Sequence, residues 1–338
     1  MKEKVGFGII GAGMIAAHHG KAMADLKNVR LIGFYDTNYE SAKKRAEEFH
    51  CKAYASFEEF LADPEIEAVT IATPSGMHGS VAIPAAKAGK HILCEKPLEI
   101  TLEKVDEIIR VCEENRVLLS PVFQTRFTKP VQLVREAMRS GRFGRMVLAS
   151  AQMRWFRDAS YYSGSNWRGT WKMDGGGALM NQAIHTLDLA LWMLGNPVAV
   201  TGTVTNNHLV GTIDEEDTAE LYIEFESGAK ANFYATTAAV SDTPVIISLT
   251  TKSDRYTAFG NKGFDRAGDT VVVNEKTDII AKDYWGNGHL HLVRDFYDCL
   301  KSGRKFPIGV SEAYRAVSVI LALYRSCGKR VELDLSKL

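Results

Sequence analysis

At 338 residues the chain is long enough for two domains with full cores, because a single core usually stops growing at ~250 to 300 residues. Its 41 Lys and Arg balance 41 Asp and Glu, so nothing in the charge argues for nucleic acid or a membrane surface as a partner. No apolar stretch reaches the ~20 residues of a membrane span. The five cysteines, Cys51, Cys94, Cys112, Cys299 and Cys327, are odd in number and lack metal-type spacing, and they read as reduced thiols of a cytoplasmic protein.

The first apolar run, VGFGII, passes directly into Gly11, Gly13 and Ala16. Gly11 permits a tight strand-to-helix turn, Gly13 lets the backbone approach a pyrophosphate, and Ala16 keeps the helix close to the sheet. The pyrophosphate is expected on the first amides of that helix, at Met14 and Ile15. A second buried strand, VRLIGFY, ends in Asp36, whose carboxylate stands where it accepts hydrogen bonds from an adenosine ribose; the competing reading makes Asp36 a cap for the helix YESAKKRAEEF.

Short apolar runs then alternate with amphipathic helices to about Val122, as a parallel sheet with crossover helices requires. The expected strands continue as AYA, AVTIAT, HILCE and VLLSPV, with Ser56 capping FEEFLAD and Thr101 capping LEKVDEIIRVCEEN. Ligands of such sheets bind beyond the carboxyl ends of the strands, which directs attention to Thr73-Pro74 and to Glu95-Lys96-Pro97. Lys96 reads either as an ordinary surface lysine or as the acid/base of an alcohol oxidation, its pKa lowered by burial and by a cationic nicotinamide. The residue before Pro97 is pushed away from helical geometry, and a cis bond is compatible with that position.

After residue 122 the runs lengthen and alternate: MVLASAQMRWF, VAVTGTVTN, TAELYIEFE and AKANFYATTA across the Ser227-Gly228 turn, VIISLTT and TVVVNE. They predict a mostly antiparallel sheet with one face on helices and the other solvated or covered by another subunit. The helices are expected at Val131 to Ser140, Gly177 to Leu194, Leu290 to Ser302 and Ser311 to Ser326. In the second of these, apolar almost all round, Asn181, His185 and Asp188 form a polar stripe at i, i+4 and i+7. Such a stripe needs partners: a substrate hydroxyl, or an internal pairing of His185 with Asp188. The glycines ahead of it let the backbone pass close to a ligand or another strand.

Through GIIGAGMIA, ATPSGMHG, CEKP, WRGTW, GGGALMNQAIHTLD and GHLHLVRDF, the chain resembles the glucose-fructose oxidoreductase, inositol dehydrogenase and MocA (Gfo/Idh/MocA) family over essentially its whole length. The resemblance implies an α/β protein: a Rossmann doubly wound parallel sheet over 1–122, and over 123–338 an α+β domain with an open, mostly antiparallel sheet for substrate binding and oligomerisation. It implies an NAD(P)-dependent dehydrogenase of sugars, inositols or related polyols, assembled as a homodimer or homotetramer through the C-terminal sheet. By position, Lys96 matches the family's catalytic lysine and His185 its catalytic histidine. Thr73, Pro74, His78 and Glu95 match residues lining the nicotinamide and its ribose, Gln124 and Arg126 match contacts beside cofactor and substrate, and Trp167 and Arg168 match a segment reaching the nicotinamide end. Many members carry Asp four residues before the histidine, where this chain has Asn181.

Asp36 favours NAD, since its charge repels a 2′-phosphate, while Lys43, Lys44 and Arg45 leave room for NADP. Tyr161, Tyr162, Asn166, Trp171, Asp174, His289 and His291 are of types that stack on or hydrogen-bond sugars, and they serve equally well as packing or surface groups. Arg154, Arg157 and Arg168 could take a carboxylate or phosphate; a neutral monosaccharide is the default. No metal site is expected. Two further functions share the motifs: an NAD-dependent glycosidase working through transient oxidation, and a non-catalytic NAD sensor, against which the retention of Lys96 and His185 argues.

Overall fold

The computed structural model describes residues 4–141, 144–252, 255–259, 263–266, 269–272 and 288–336. They divide into two compact units, the first from 4–124 and 288–310, the second from the described parts of 125–272 and from 311–336. The expected boundary at 122 falls two residues from the first crossing at Gln124. The segment 288–310, expected in the second domain, groups with the first unit because its helix packs there.

In the first unit, β1 (Val5–Ile10), β2 (Val29–Tyr35), β3 (Lys52–Tyr54), β4 (Ala68–Ile71), β5 (His91–Cys94) and β6 (Leu119–Pro121) pair in parallel in the order β3-β2-β1-β4-β5-β6. All residues of β1 are buried, as a strand covered on both faces requires. The crossovers carry α1 (Met14–Ala24), α2 (Tyr39–Phe49), α3 (Phe57–Ala62), α4 (His78–Lys87) and α5 (Leu102–Glu114). Ser56 and Thr101 cap α3 and α5 by accepting from the Glu59 and Lys104 amides. The strand order reverses between β1 and β4, and a crevice for a ligand belongs at the carboxyl ends of those strands.

The second unit holds α6 (Lys129–Arg139), β7 (Met146–Arg154), α7 (Ala159–Ser163), a π-helical segment Ala178–Ala183 running into α8 (Ile184–Leu194), β8 (Pro197–Thr205), β9 (Thr218–Phe225), β10 (Lys230–Thr236), β11 (Ile246–Thr251), β12 (Arg255–Phe259), β13 (Gly263–Arg266) and β14 (Asp269–Val272). In chain order α9 (Gly288–Ser302) follows, returning to the first unit, where its buried Phe296 meets Phe7 of β1 edge-on at 6.2 Å. Then come α10 (Val310–Ser326) and β15 (Val331–Glu332). The sheet runs β14-β13-β12-β11-β7-β10-β9-β8-β15, antiparallel throughout except for the β7–β10 pair. Alternation along β9 sends Ala219, Leu221, Ile223 and Phe225 inward and Glu220 outward. The outer face carries a polar hollow of about 610 Å³ lined by Arg154, Thr203, Thr205, Glu220, Tyr234 and neighbours. The expected strand TVVVNE lies in β14 as far as Val272; its last three residues are outside the described ones.

Candidate active site

At the carboxyl end of β1, Gly11 turns with φ +98° and its N–H donates to the Tyr35 carbonyl at 2.8 Å. A Cβ there would stand 2.5 Å from the Ala72 carbonyl oxygen, so the position demands glycine. Gly13 is different: a Cβ on it would meet no protein atom within 4 Å. It caps the N-terminus of α1 without a side-chain acceptor, and the amides of Met14 and Ile15 follow, with no acidic residue in the first turn. Met14 is exposed and Ile15 half-buried.

Asp36 accepts from the Ala12 amide with Oδ2 and from the Asn38 amide with Oδ1, both at 2.8 Å. The cap of α2 is Asn38, whose side chain accepts from the Ser41 amide, so the capping reading of Asp36 gives way to one in which it braces the glycine turn. Arg45 binds the same turn from the other side, through Nε to the Ala12 carbonyl at 3.1 Å and Nη2 to that of Gly13 at 3.3 Å, while Nη1 pairs with Glu48 at 2.6 Å.

Beyond β4, Thr73 and Pro74 are half-buried, and the Thr73 hydroxyl is buried without a hydrogen-bond partner among the described residues. The dinucleotide expected at this edge fits: Gly13 leaves open the space a Cβ would fill, Asp36 retains lone pairs for ribose hydroxyls, and Thr73 supplies a buried polar atom. His78 is buried, with Nδ1 at 2.8 Å from the Pro97 carbonyl and Nε2 at 3.1 Å from that of Thr73. Burial lowers its pKa against the pull of these two carbonyls, and a neutral ring, with a single N–H, donates to only one of them.

The Lys96–Pro97 peptide is cis, and Lys96 itself is half-buried at the end of β5. Its amide donates to Glu95 Oε2 at 3.3 Å. Glu95 Oε1 lies 2.8 Å from His19 Nε2 on α1 and 3.7 Å from His289 Nε2 on α9. Burial works to raise the Glu95 carboxyl, but the hydrogen bond with His19 and the nearby His289 ring outweigh it and hold the group well below the usual carboxylate range. Burial, then His289 and His19, depress the neighbouring His18 to about 4. The buried group His19, Glu95 and His289 has the composition of a metal site. His19 and Glu95 already satisfy each other at hydrogen-bond distance, however, and ligand atoms about 2 Å from a tetrahedral zinc stand more than ~3 Å apart.

In the second unit the run 175–177 explains itself by close approach: a Cβ on Gly176 would lie 2.0 Å from the Tyr324 hydroxyl, and one on Gly177 2.0 Å from the Glu216 carbonyl oxygen. Glu216 caps the π-helical segment, accepting from the Gly177 and Leu179 amides at 2.9 Å each and from the Tyr324 hydroxyl at 3.1 Å. Glu215 accepts from the Gly176 amide at 2.8 Å. Burial, then the charges of Asp174 and Glu216, push Glu215 up to about 9, and burial pushes Glu216 to about 7 against its backbone hydrogen bonds.

The expected helix from Gly177 is π-wound over Ala178–Ala183 before becoming α-helical, which displaces Asn181 from the α-helical stripe with His185 and Asp188. Asn181 and His185 are half-buried, and Asn181 Nδ2 lies 2.7 and 2.9 Å from the two Asp174 oxygens. Both oxygens of Asp188 accept from Arg126, at 2.7 Å from Nε and 2.5 Å from Nη2. Arg126, expected beside the substrate, is 2 % exposed, and its guanidinium also stacks over Trp192 at 4.8 Å, anchoring α8. Gln124, buried, forms a 3₁₀ turn with Arg126.

Tyr161 on α7 receives the guanidinium of Arg168 at 4.8 Å and that of Arg157 at 5.2 Å, and Arg168 also lies over Trp167 at 5.1 Å. Arg157 is ion-paired with Asp242. Of the other expected sugar contacts, Tyr162 packs with Leu209 and Ile213, Trp171 donates to the Asp214 carbonyl, and Asn166 is exposed. His289 serves Glu95, and His291 is half-buried. His19, Glu215 and Glu216 were not singled out as site residues by sequence, and Arg45 was named only as leaving room for NADP. The acidic run 215–217 was visible, but such a run ordinarily marks a solvated turn.

Residues 5–123 match the family model described as an oxidoreductase family with an NAD-binding Rossmann fold, and residues 131–264 match the Gfo/Idh/MocA C-terminal domain. Inositol 2-dehydrogenase of Rhizobium meliloti is 30% identical over 235 residues, 67% of each chain. Levoglucosan dehydrogenase of Pseudarthrobacter phenanthrenivorans is 24% identical over 388 residues, 99% of each chain. The WlbA dehydrogenase of Bordetella pertussis, solved with NADH and UDP-GlcNAcA, matches with a TM-score of 0.88 at 27% identity over 99% of both chains. No helix among the described residues is long and apolar enough to cross a membrane. Matched in both its dinucleotide-binding and its C-terminal parts, the chain belongs to the Gfo/Idh/MocA family and is an NAD-dependent oxidoreductase of sugars or polyols.

Proposed function

We propose that the protein oxidises or reduces one ring carbon of a sugar, inositol or related polyol, with Lys96 as the acid/base and His185 assisting. NAD, when bound, supplies the hydride acceptor or, reduced, the donor. The residues Gly11, Gly13, Met14, Ile15, Asp36, Thr73 and Pro74 hold it, with His78 and Glu95 fixing the turns around it and Gln124, Trp167 and Arg168 at its nicotinamide end. In the oxidative direction the Lys96 amine takes the proton of the reacting hydroxyl, and in the reverse direction it returns it. His185 hydrogen-bonds the same oxygen, and Asn181 and Tyr161 contact other hydroxyls. Arg126 acts from beneath, through Asp188 and α8.

One observation carries the role of Lys96: its backbone is pinned to a buried carboxylate, Glu95, which is itself held by a hydrogen bond with His19. A flexible surface lysine has no need of that support. Self-association through the outer face of the second unit's sheet is part of the same proposal, since its threonine and tyrosine face suits a partner sheet as well as water.

The test incubates the protein and NAD with free sugars, sugar acids, myo-inositol, levoglucosan and UDP-GlcNAcA, following nicotinamide absorbance. NADH formation with one of these, reduced roughly a hundredfold to ten-thousandfold in Lys96→Ala, is the expected result. Release of an aglycone from a glycoside without NADH accumulation would replace the dehydrogenase by a glycosidase. NAD binding with neither activity would leave a sensor.

A further inference from the structure

Many members of the family carry an aspartate four residues before the histidine that matches His185, and this chain has an amide there, fastened to a buried carboxylate. Asp174, 1 % exposed, sits immediately before the 175–177 glycines. Asn181 Nδ2 reaches both of its oxygens, at 2.7 Å to Oδ1 and 2.9 Å to Oδ2, and the Gly169 amide donates to Oδ2 at 3.2 Å. A carboxylate only accepts, so it selects the nitrogen end of the Asn181 amide and fixes which way the group is flipped. The amide oxygen then points away from Asp174, and unlike an amide at a solvated position it cannot rotate without setting oxygen against carboxylate.

We infer that Asp174 is a positioning residue: by gripping Asn181 through its nitrogen, it makes position 181 present a neutral hydrogen-bond acceptor to a hydroxyl of the substrate. This rests on the reading above in which Asn181 contacts substrate. It deepens that reading by stating the chemistry recognised, a hydroxyl that donates, at a carbon other than the one oxidised. It also accounts for the absence of the family's aspartate. The carboxylate is present in this chain, but one layer back at position 174, and a second one at 181 would stand against it at about 3 Å.

The surroundings agree. The titratable groups near the pair include Glu215 and Glu216 from the segment ahead of β9, Tyr324 from α10, Tyr162 from α7 and His185 one turn on. Glu215 is pushed up to about 9, by burial first and then by Asp174, so it is neutral at pH 7. Glu216 is occupied by three donors.

The test compares wild type with Asn181→Asp, Asn181→Ala, Asp174→Asn and the exchanged pair Asp174→Asn/Asn181→Asp, by melting at pH 5 and pH 8 and by kinetics with the compound of the panel above that wild type oxidises. Opposed carboxylates raise a folded-state pKa, so the stability of Asn181→Asp falls as pH rises: the expected result is a melting temperature lower than wild type by about 5 °C or more at pH 8 and by less at pH 5. The exchanged pair restores an amide–carboxylate contact and removes that drop. In kinetics, Asn181→Ala and Asp174→Asn each raise KM roughly tenfold with kcat little changed, Asp174→Asn adds nothing on top of Asn181→Ala, and the exchanged pair recovers KM. A purely structural Asp174 would lower stability without that non-additivity or recovery.

Wild-type melting of Asn181→Asp at both pH values, or additive effects of the two single changes on KM, overturns the inference. An unchanged KM in Asn181→Ala overturns the substrate role of Asn181 itself. No NADH from wild type with any panel compound overturns the functional reading and the substrate half of the inference with it, while melting still decides the grip of Asp174 on Asn181.

Discussion

Arg126 holds Asp188 across 62 residues of sequence through two hydrogen bonds of 2.7 and 2.5 Å, both side chains being almost completely buried. A buried pair of this geometry stabilises little against an apolar replacement, but removal of one partner strands a charge. Arg126→Met is therefore expected to cost about 3–5 kcal/mol in chemical denaturation, and Arg126→Met/Asp188→Leu distinctly less than the sum of its parts. If Arg126→Met instead denatures like wild type while kcat/KM collapses, the guanidinium serves the substrate directly and the anchoring role is wrong.

The carboxyls raised in the second unit give the protein an alkaline weakness. Unfolded glutamates titrate near ~4.3, so the folded state, with Glu216 at about 7 and Glu215 at about 9, binds more protons than the unfolded chain between those limits. Their stabilisation is complete below the unfolded pKa and is lost as pH rises, first through about 7 and then through about 9. Melting temperature is expected to decline from pH 6 to pH 9.5. Glu215→Gln, an uncharged side chain of the same length, should flatten the upper half of that decline, and parallel curves for the two proteins would show that Glu215 is not the group responsible.

The first unit was the more legible in sequence, because its signals are local. VGFGII and VRLIGFY are β1 and β2 residue for residue, since each is an apolar run cut off by a glycine or an aspartate. Ser56 and Thr101 cap the helices they were expected to cap, a matter of three residues. What could not be read depends on partners remote in the chain. The Arg126–Asp188 pair and the Glu216 cap on the segment 178–183 join separate elements, and no periodicity marks them. The π winding over Ala178–Ala183 leaves the apolar pattern of a buried helix unchanged, so the i, i+4 spacing of Asn181 and His185 looked α-helical. The return of α9 to the first unit was hidden for the same reason, an amphipathic helix giving no sign of which sheet it covers.

Cofactor choice follows from the two side chains that grip the glycine turn. Asp36→Ala removes the charge that opposes a 2′-phosphate, and it also frees the Ala12 and Asn38 amides. The expected outcome is a ratio of kcat/KM shifted toward NADP on a background of weaker binding of both cofactors. Arg45 is engaged by two carbonyls and Glu48, so Arg45→Ala should weaken NAD and NADP together and leave their ratio unchanged. A selective loss of NADP in Arg45→Ala would mean that the arginine leaves the turn to bind phosphate.

The two glycines of the turn separate folding from binding. Gly11 sits at φ +98°, and a Cβ there would press on the Ala72 carbonyl oxygen, so Gly11→Ala strains the backbone at the junction of β1 and β4 whether or not cofactor is present. Gly13 has φ −71°, ordinary for any residue, and the space beside it holds no protein atom. Gly13→Ala should therefore melt within about a degree of wild type, since a surface methyl away from strained features changes stability little. Its methyl does fill the approach a pyrophosphate needs to the amides of Met14 and Ile15, and NAD affinity measured by titration should fall by roughly tenfold or more, the equivalent of ~1.4 kcal/mol. Gly11→Ala should lose both melting temperature and affinity. Unaltered NAD affinity in Gly13→Ala would place the pyrophosphate elsewhere on the sheet edge and remove the ground for assigning the cofactor to the N-terminus of α1.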